Sequence, residues 1–274
     1  MVATRCTRAT ILGPETLDLL GGRPHGQARS LGRHALALWT SHEDIVWCDH
    51  RPDALGPRGI TLTTEPPPFD GPVPWTWLPR SATIACGEAL QIDLRAATIA
   101  AWSAVRVPVT TPRCRGPVDL PGPARPDPAL GPDLDPVREE FVRARTLWET
   151  SLEAGLDPVR ARSLVGLGPG LTPSGDDVLG GFVLVGAACG ALPADFAEAL
   201  REEARTATHS LSRARLEHHL RAEGSVAECR LVRALLDRDL RAATTHAEAL
   251  SRFGHHSGAD FLDGALAALR TFAR

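Results

Sequence analysis

Residues 107–136 read VPVTTPRCRGPVDLPGPARPDPALGPDLDP and contain nine prolines. Each proline ring fixes φ and removes a backbone donor, so neither a long helix nor a central strand can run through this stretch. The chain is thereby divided into residues 1–106, a Pro-rich connector over 107–136 and residues 137–274. Before the connector, short apolar segments at 3–12, 35–40, 45–48, 59–64, 82–86, 89–94 and 97–102 alternate with Pro, Gly and Asp turn clusters. That alternation predicts a mainly β N-terminal domain, a barrel or a sandwich. After the connector, apolar residues recur at three-to-four spacing over 137–156, 193–206, 211–222, 225–236 and 239–253, which predicts a helical bundle. Residues 178–192 are apolar all round and carry four glycines, so they are expected to form a central helix that others approach closely. The fold class is α+β.

Charge and composition narrow the functional classes. Net charge is −3 and the pI is about 6.4, which offers no general attraction for nucleic acid or an anionic membrane surface. All 30 basic residues are arginine, a compositional bias and not a binding signature. The N-terminal MVATRCTRATILG lacks the apolar core of a secretory signal, and the 15-residue run at 178–192 falls short of the roughly 20 residues that span a bilayer. A water-soluble, cytoplasmic protein is expected. Six cysteines are scattered without a CxxC pair, which fits reduced thiols, and no metal site is expected from them.

Residues 166–177, GLGPGLTPSGDD, put four glycines, two prolines, two hydroxyls and two adjacent carboxylates between apolar segments. A plain connection between helices needs only about 2 to 8 residues and no such selection. The end of this motif recurs: SGDDVLGG at 174–181 aligns with SGADFLDG at 257–264, with five of eight positions identical at a constant offset of 83. The shared residues are Ser174 and Ser257, Gly175 and Gly258, Asp177 and Asp260, Leu179 and Leu262, Gly181 and Gly264. Each copy reads as the start of an apolar helix, with Ser174 and the aspartates as its capping chemistry.

The first turn of a helix carries unpaired N–H groups and partial positive charge, and glycines let main-chain donors come close to a ligand. Paired helix starts would therefore receive an anion, yet Asp176, Asp177 and Asp260 would repel a bare one. A ligand with an acidic end and an amide end satisfies both features, and Mg²⁺ between the aspartates and a phosphate is the alternative. The loop lacks the Lys and the spacing of a P-loop, and no serine sits in a G-x-S-x-G elbow, so neither nucleotide cradle nor hydrolase triad is indicated. Candidate catalytic residues are Asp177, Asp260 and His255, the last as a general acid or base beside a carboxylate. Candidate binding residues are Gly168, Gly170, Thr172, Ser174, Gly175, Asp176, His256, Ser257 and Gly258. Thr206, Thr208, Ser210 and Ser212 cluster between two predicted helices and read as caps, with a site role open.

GLGPGLTPSGDD, the glycine-rich apolar helix after it, and GHHSGADFLDG together resemble the AllH-like family, which includes a subunit of an oxamate carbamoyltransferase of allantoin breakdown. The resemblance spans about residues 160 to 270, with His256 standing where the family carries Thr or Ser. It implies cytoplasmic transfer of a carbamoyl or similar acyl group from carbamoyl phosphate to a small nitrogen-containing acid or amide. It also implies partner transferase subunits, with homo-oligomers open. Backbone donors at Gly168, Gly170 and Gly175 would face developing negative charge, and Asp177 or Asp260 would orient or deprotonate the acceptor. No organic cofactor is expected. A non-catalytic carboxylate-binding or assembly subunit and a Mg²⁺-dependent phosphotransferase remain as alternatives.

Overall fold

A computed structural model describes residues 4–22, 25–31, 34–41, 44–108, 135–252 and 256–272. The chain divides into two compact units, residues 1–106 and 107–274. Most of the Pro-rich connector, residues 109–134, lies outside the described residues.

The first unit is a closed barrel of eight strands. Its strands are β1 (Arg5–Leu12), β2 (His25–Leu31), β3 (Ala35–Thr40), β4 (Ile45–Asp49), β5 (Gly59–Leu62), β6 (Val73–Leu78), β7 (Thr83–Cys86) and β8 (Leu90–Asp93). The order around the barrel is β5-β4-β3-β2-β6-β7-β8-β1, and β1 closes the ring by pairing antiparallel with β5. A two-residue β9 (Thr98–Ile99) extends the β8 side of β1. The β1–β8 and β4–β5 pairs are parallel and the other barrel pairs are antiparallel. Closure leaves no open edge around the ring, so short strands suffice. Alternate residues point inward, and Leu36, Leu38, Val46, Ile60, Ile84 and Ile92 fill the interior.

Two strands escape the sequence pattern. β2, HGQARSL, buries only Ala28, and it is a strand because β3 and β6 pair with it on both sides. β6, VPWTWL, carries Pro74, a residue that argues against a strand in sequence reading. Its neighbour Trp75 anchors it, donating its indole N–H to the Trp39 carbonyl at 2.8 Å. The expected strand at 97–102 shrinks to β9, and Trp102 begins a short helix, α2 (Trp102–Val105), preceded in the chain by α1 (Thr16–Gly22).

The second unit is helical: α3 (Asp135–Ser151), α4 (Pro158–Arg162), α5 (Ser174–Ala188), α6 (Ala194–Ala207), α7 (Ser210–Leu220), α8 (Val226–Leu236), α9 (Leu240–Leu250) and α10 (Ser257–Phe272). The central helix expected at 178–192 is α5. It begins four residues earlier and stops at Ala188, because Gly190 turns to φ +63°. Phe182 on α5 packs edge-on against Trp148 of α3 and touches Phe196 of α6 and Phe272 of α10. No helix among the described residues is long and apolar enough to cross a membrane.

Candidate functional site

The two sequence repeats become α5 and α10, and they cross through their shared glycines. A Cβ on Gly181 would lie 1.9 Å from the Phe261 carbonyl oxygen, and a Cβ on Gly264 would lie 1.8 Å from that of Val178. Val178 and Phe261 are themselves separated by the repeat offset of 83. The crossing is therefore reciprocal: each repeat offers its glycine to the other's backbone, as in an isologous dimer interface within one chain. Gly175 and Gly258 have a second packing duty, since a Cβ on either would come within 2.1 Å of a carbonyl oxygen, that of Leu164 or Leu250.

This crossing brings both helix starts together. Thr172 Oγ1 lies 3.1 Å from Ser257 Oγ, joining the loop before α5 to the first residue of α10. Asp177 and Asp260 are each 3% exposed, and they are near enough for the charge of Asp260 to act on Asp177. The convergence expected from the repeat is thus present in the fold.

The start of α5 is built differently from its expected caps. Pro173, not Ser174, occupies the cap position, and its carbonyl accepts the Asp177 N–H. The Gly175 N–H, expected to face a ligand, donates to the Leu167 carbonyl at 2.8 Å. The loop can make that return because Gly166, Gly168 and Gly170 all have positive φ, a region closed in practice to bulkier residues. His256 is the counterpart of Pro173: half-buried, with its carbonyl accepting the Ala259 and Asp260 amides. His255 lies outside the described residues.

The adjacent aspartates divide their work. Asp176 accepts the Gly166 N–H at 2.8 Å on one oxygen, and the hydroxyls of Thr208 and Ser212 on the other, the Ser212 bond at 2.6 Å. Three protein donors make it a tether from the glycine loop to the start of α7, and its repeat counterpart is the apolar Ala259. Thr208 and Ser212, expected as caps, serve this tether.

Asp177 faces charge. Its Oδ1 accepts from Arg215 Nη1 at 2.7 Å, and Arg215 Nη2 donates to Glu228 Oε1, also at 2.7 Å. Glu228 Oε2 accepts the Ser225 N–H at 2.7 Å and lies 3.3 Å from His219 Nε2. A buried chain, Asp177–Arg215–Glu228–His219, thus links α5, α7 and α8, and the His219 ring meets Phe261 of α10 edge-on. The Arg215 side chain remains 29% exposed, the one member of this chain that reaches solvent.

These contacts set the protonation states. Burial pushes Asp177 up from the ordinary aspartate range to about 7, against the Arg215 guanidinium and the Ser257 hydroxyl, while the Asp260 charge adds to the rise. Among the described residues its Oδ2 has no hydrogen-bond partner. Burial opposes the charge of Glu228 as well, but His219, Arg215 and the Ser225 N–H outweigh it and hold the carboxyl well below its usual range. Arg215 stays firmly charged despite burial because two carboxylates flank it. The result is a fixed anion–cation pair beside a carboxyl that exchanges its proton near neutral pH.

Arg215 and Glu228 were not legible as site residues, and His219 only as one of several histidines on helix faces. Arg215 is one of 30 arginines, and nothing in its spacing marks it. The only signal for Glu228 is its place three residues after Ser225, a capping box that forms at the start of α8. A surface cavity of about 430 Å³ lies between α3 and α4, and none of its lining residues belongs to either repeat.

The family model described as oxamate carbamoyltransferase subunit AllH matches residues 164–269. No curated protein and no solved structure matches the chain. The matched segment runs from just before the glycine loop almost to the end of α10, and takes in the reciprocal crossing and the buried charge chain. Over this helical region the chain is similar to the AllH-like family.

Proposed function

We propose that this chain is a subunit of a carbamoyltransferase and that it binds a small amide-bearing carboxylate, oxamate being the prototype, at the paired starts of α5 and α10. The observation that carries this reading is the Asp177–Arg215 pair beneath those helix starts. A partly exposed guanidinium suits a carboxylate, and a neighbouring aspartate with a spare oxygen suits an –NH2 group. The family description supports carbamoyl transfer at the level of the assembled enzyme.

In the reaction, the acceptor nitrogen attacks the carbonyl carbon of carbamoyl phosphate. A C–N bond forms, the bond from that carbon to the bridging phosphate oxygen breaks, inorganic phosphate leaves, and the nitrogen loses one proton. Asp177, with its carboxyl near pH 7, has the proton affinity to take it, because burial raises it and Asp260 beside it adds to the rise. Thr172 and Ser257 join the two helix starts, and Asp176 tethers the glycine loop before α5. Transfer by this route needs no covalent enzyme intermediate and depends on positioning.

The test is phosphate release from carbamoyl phosphate and oxamate by the chain with its partner subunits, against Asp177→Asn. Loss of turnover with retained assembly supports the proposal. A specific observation favours a second reading: Asp177 and Asp260 are almost fully enclosed. Under that reading the chain is a non-catalytic assembly subunit, and Asp177→Asn reduces co-purification of partners while turnover per assembled complex stays unchanged.

A further inference from the structure

We propose that His34, His50 and Glu65 form a binding site for a divalent transition-metal ion of the zinc class at one end of the barrel. The three residues sit at neighbouring strand ends: His34 just before β3, His50 just after β4, and Glu65 three residues beyond β5. The β3–β4 ladder pairs Ala35 with Asp49, so its next step carries His34 opposite His50. The parallel β4–β5 pair delivers the chain of Glu65 to the same end.

The donor atoms converge. His34 Nδ1 lies 2.5 Å from Glu65 Oε1, His50 Nε2 lies 3.8 Å from the same oxygen, and one ligand atom from each residue falls within 4.8 Å of the others. The two imidazole rings are 5.5 Å apart and tilted. An ion with bonds of about 2.0 to 2.2 Å to nitrogen and oxygen is spanned by donors at such separations after small side-chain movement.

The surroundings of His50 carry the argument further. Its Nδ1 faces the His34 carbonyl oxygen at 3.4 Å and Asp49 Oδ1 at 3.6 Å, and both are acceptors. Asp49 is 2% exposed and fixed by Arg51 through a two-pronged pair, so this side of the ring has a rigid partner. An Nδ1–H directed there leaves the Nε2 lone pair of the neutral ring facing the Glu65 carboxylate, acceptor against acceptor. A cation between them resolves that opposition, and a carbonyl or carboxylate behind the imidazole is the usual support of a metal-bound histidine. Two nitrogens and one carboxylate oxygen suit zinc and its neighbours better than Mg²⁺ or Ca²⁺. The partial exposure of all three side chains leaves further positions to water. Cysteine spacing gave no hint of this site because it uses none.

The test uses the metal-free full chain, titrated with Zn²⁺ by calorimetry and with Co²⁺ by visible absorption. One equivalent is expected to bind, with histidine-nitrogen coordination in the Co²⁺ spectrum and a Zn²⁺-dependent rise in melting temperature. His34→Ala and His50→Ala should each weaken binding by about 100-fold, at or beyond the loss seen when metal-supporting residues are removed. Both retain the barrel core, which circular dichroism verifies, and His246→Ala serves as the unrelated-histidine control. Absence of one-to-one binding, or binding unchanged in both histidine variants, overturns the proposal and leaves the cluster an ion pair only.

Discussion

Among its described residues the barrel buries four threonines and one carboxylate, Asp49, whereas the helical unit buries five carboxylates and two histidines. Three of these threonines are satisfied by hydrogen bonds, while Thr61 Oγ1 has no partner among the described residues. Thr7 shares hydrogen bonds with Thr63 and Thr64, and Thr16 donates to the Gly59 carbonyl. Buried charges cost several kcal/mol each unless paired, so the helical unit pairs them: Asp177 and Glu228 through Arg215, Glu223 through Arg221 and His218, and Asp176 through the Gly166 N–H and two hydroxyls. The contrast teaches where chemistry is concentrated: the barrel's stability rests on closure and apolar filling, while the helical unit accepts an electrostatic cost around α5 and α10.

The first way to break this contrast is to attack the crossing itself. Gly264→Ala would force a Cβ against the Val178 carbonyl and should destabilise the helical unit by roughly 3 kcal/mol or more, read from urea midpoints. A neutral result would mean the helices separate easily and the shared site is loosely held. Next, Arg215→Ala strands Asp177 and Glu228 together. Removal of one partner from a buried pair costs about 3 to 5 kcal/mol, and the partial exposure of Arg215 points to the lower end.

Titration sharpens the comparison. In the fold Asp177 keeps its proton up to about pH 7, whereas the unfolded chain releases it in the ordinary aspartate range. The folded state therefore binds more protons between about pH 4 and 7, and this group makes stability fall as pH rises through that window. Glu228, depressed in the fold, acts oppositely and adds stability that is lost as pH falls below about 4.5. Asp177→Asn should remove the falling contribution, so its stability relative to the parent chain should rise from pH 4 to 7 in denaturant titrations. A constant difference would show that Asp177 is ionised throughout.

Smaller effects are expected where no charge is involved. Trp75→Phe in the barrel loses the indole bond to Trp39 while keeping an aromatic ring, and should cost about 1 kcal/mol. Ser225→Ala removes one half of the capping box at α8, for about 0.5 to 1 kcal/mol in thermal melts. Losses near 3 kcal/mol from either variant would erase the distinction between charge-dependent and apolar regions.

Much of this architecture could be read in advance because its causes are local. Short apolar segments bounded by turn clusters marked most barrel strands, three-to-four spacing marked the long helices, and the 83-residue offset marked the pair that cross. β2 and β6 were hidden because neighbours, not side-chain alternation, make them strands. Ser174 looked like a cap, yet Pro173 takes the cap position and the Gly175 amide turns back to Leu167. The repeat marked Asp177 and not Asp176, but only their neighbours show one to be a tether and the other a titrating carboxyl.

The sequence alone determined two regions of different class and a duplicated helix start, since proline geometry, hydrophobic period and repetition act within short stretches of chain. Closure of the barrel, the reciprocal passage of Gly181 and Gly264, and the gathering of Arg215, Glu228 and His219 beneath Asp177 were decided by tertiary structure. Those contacts join residues far apart in the chain, and electrostatic partnership and burial depend on distance in space, which no local pattern of residues records.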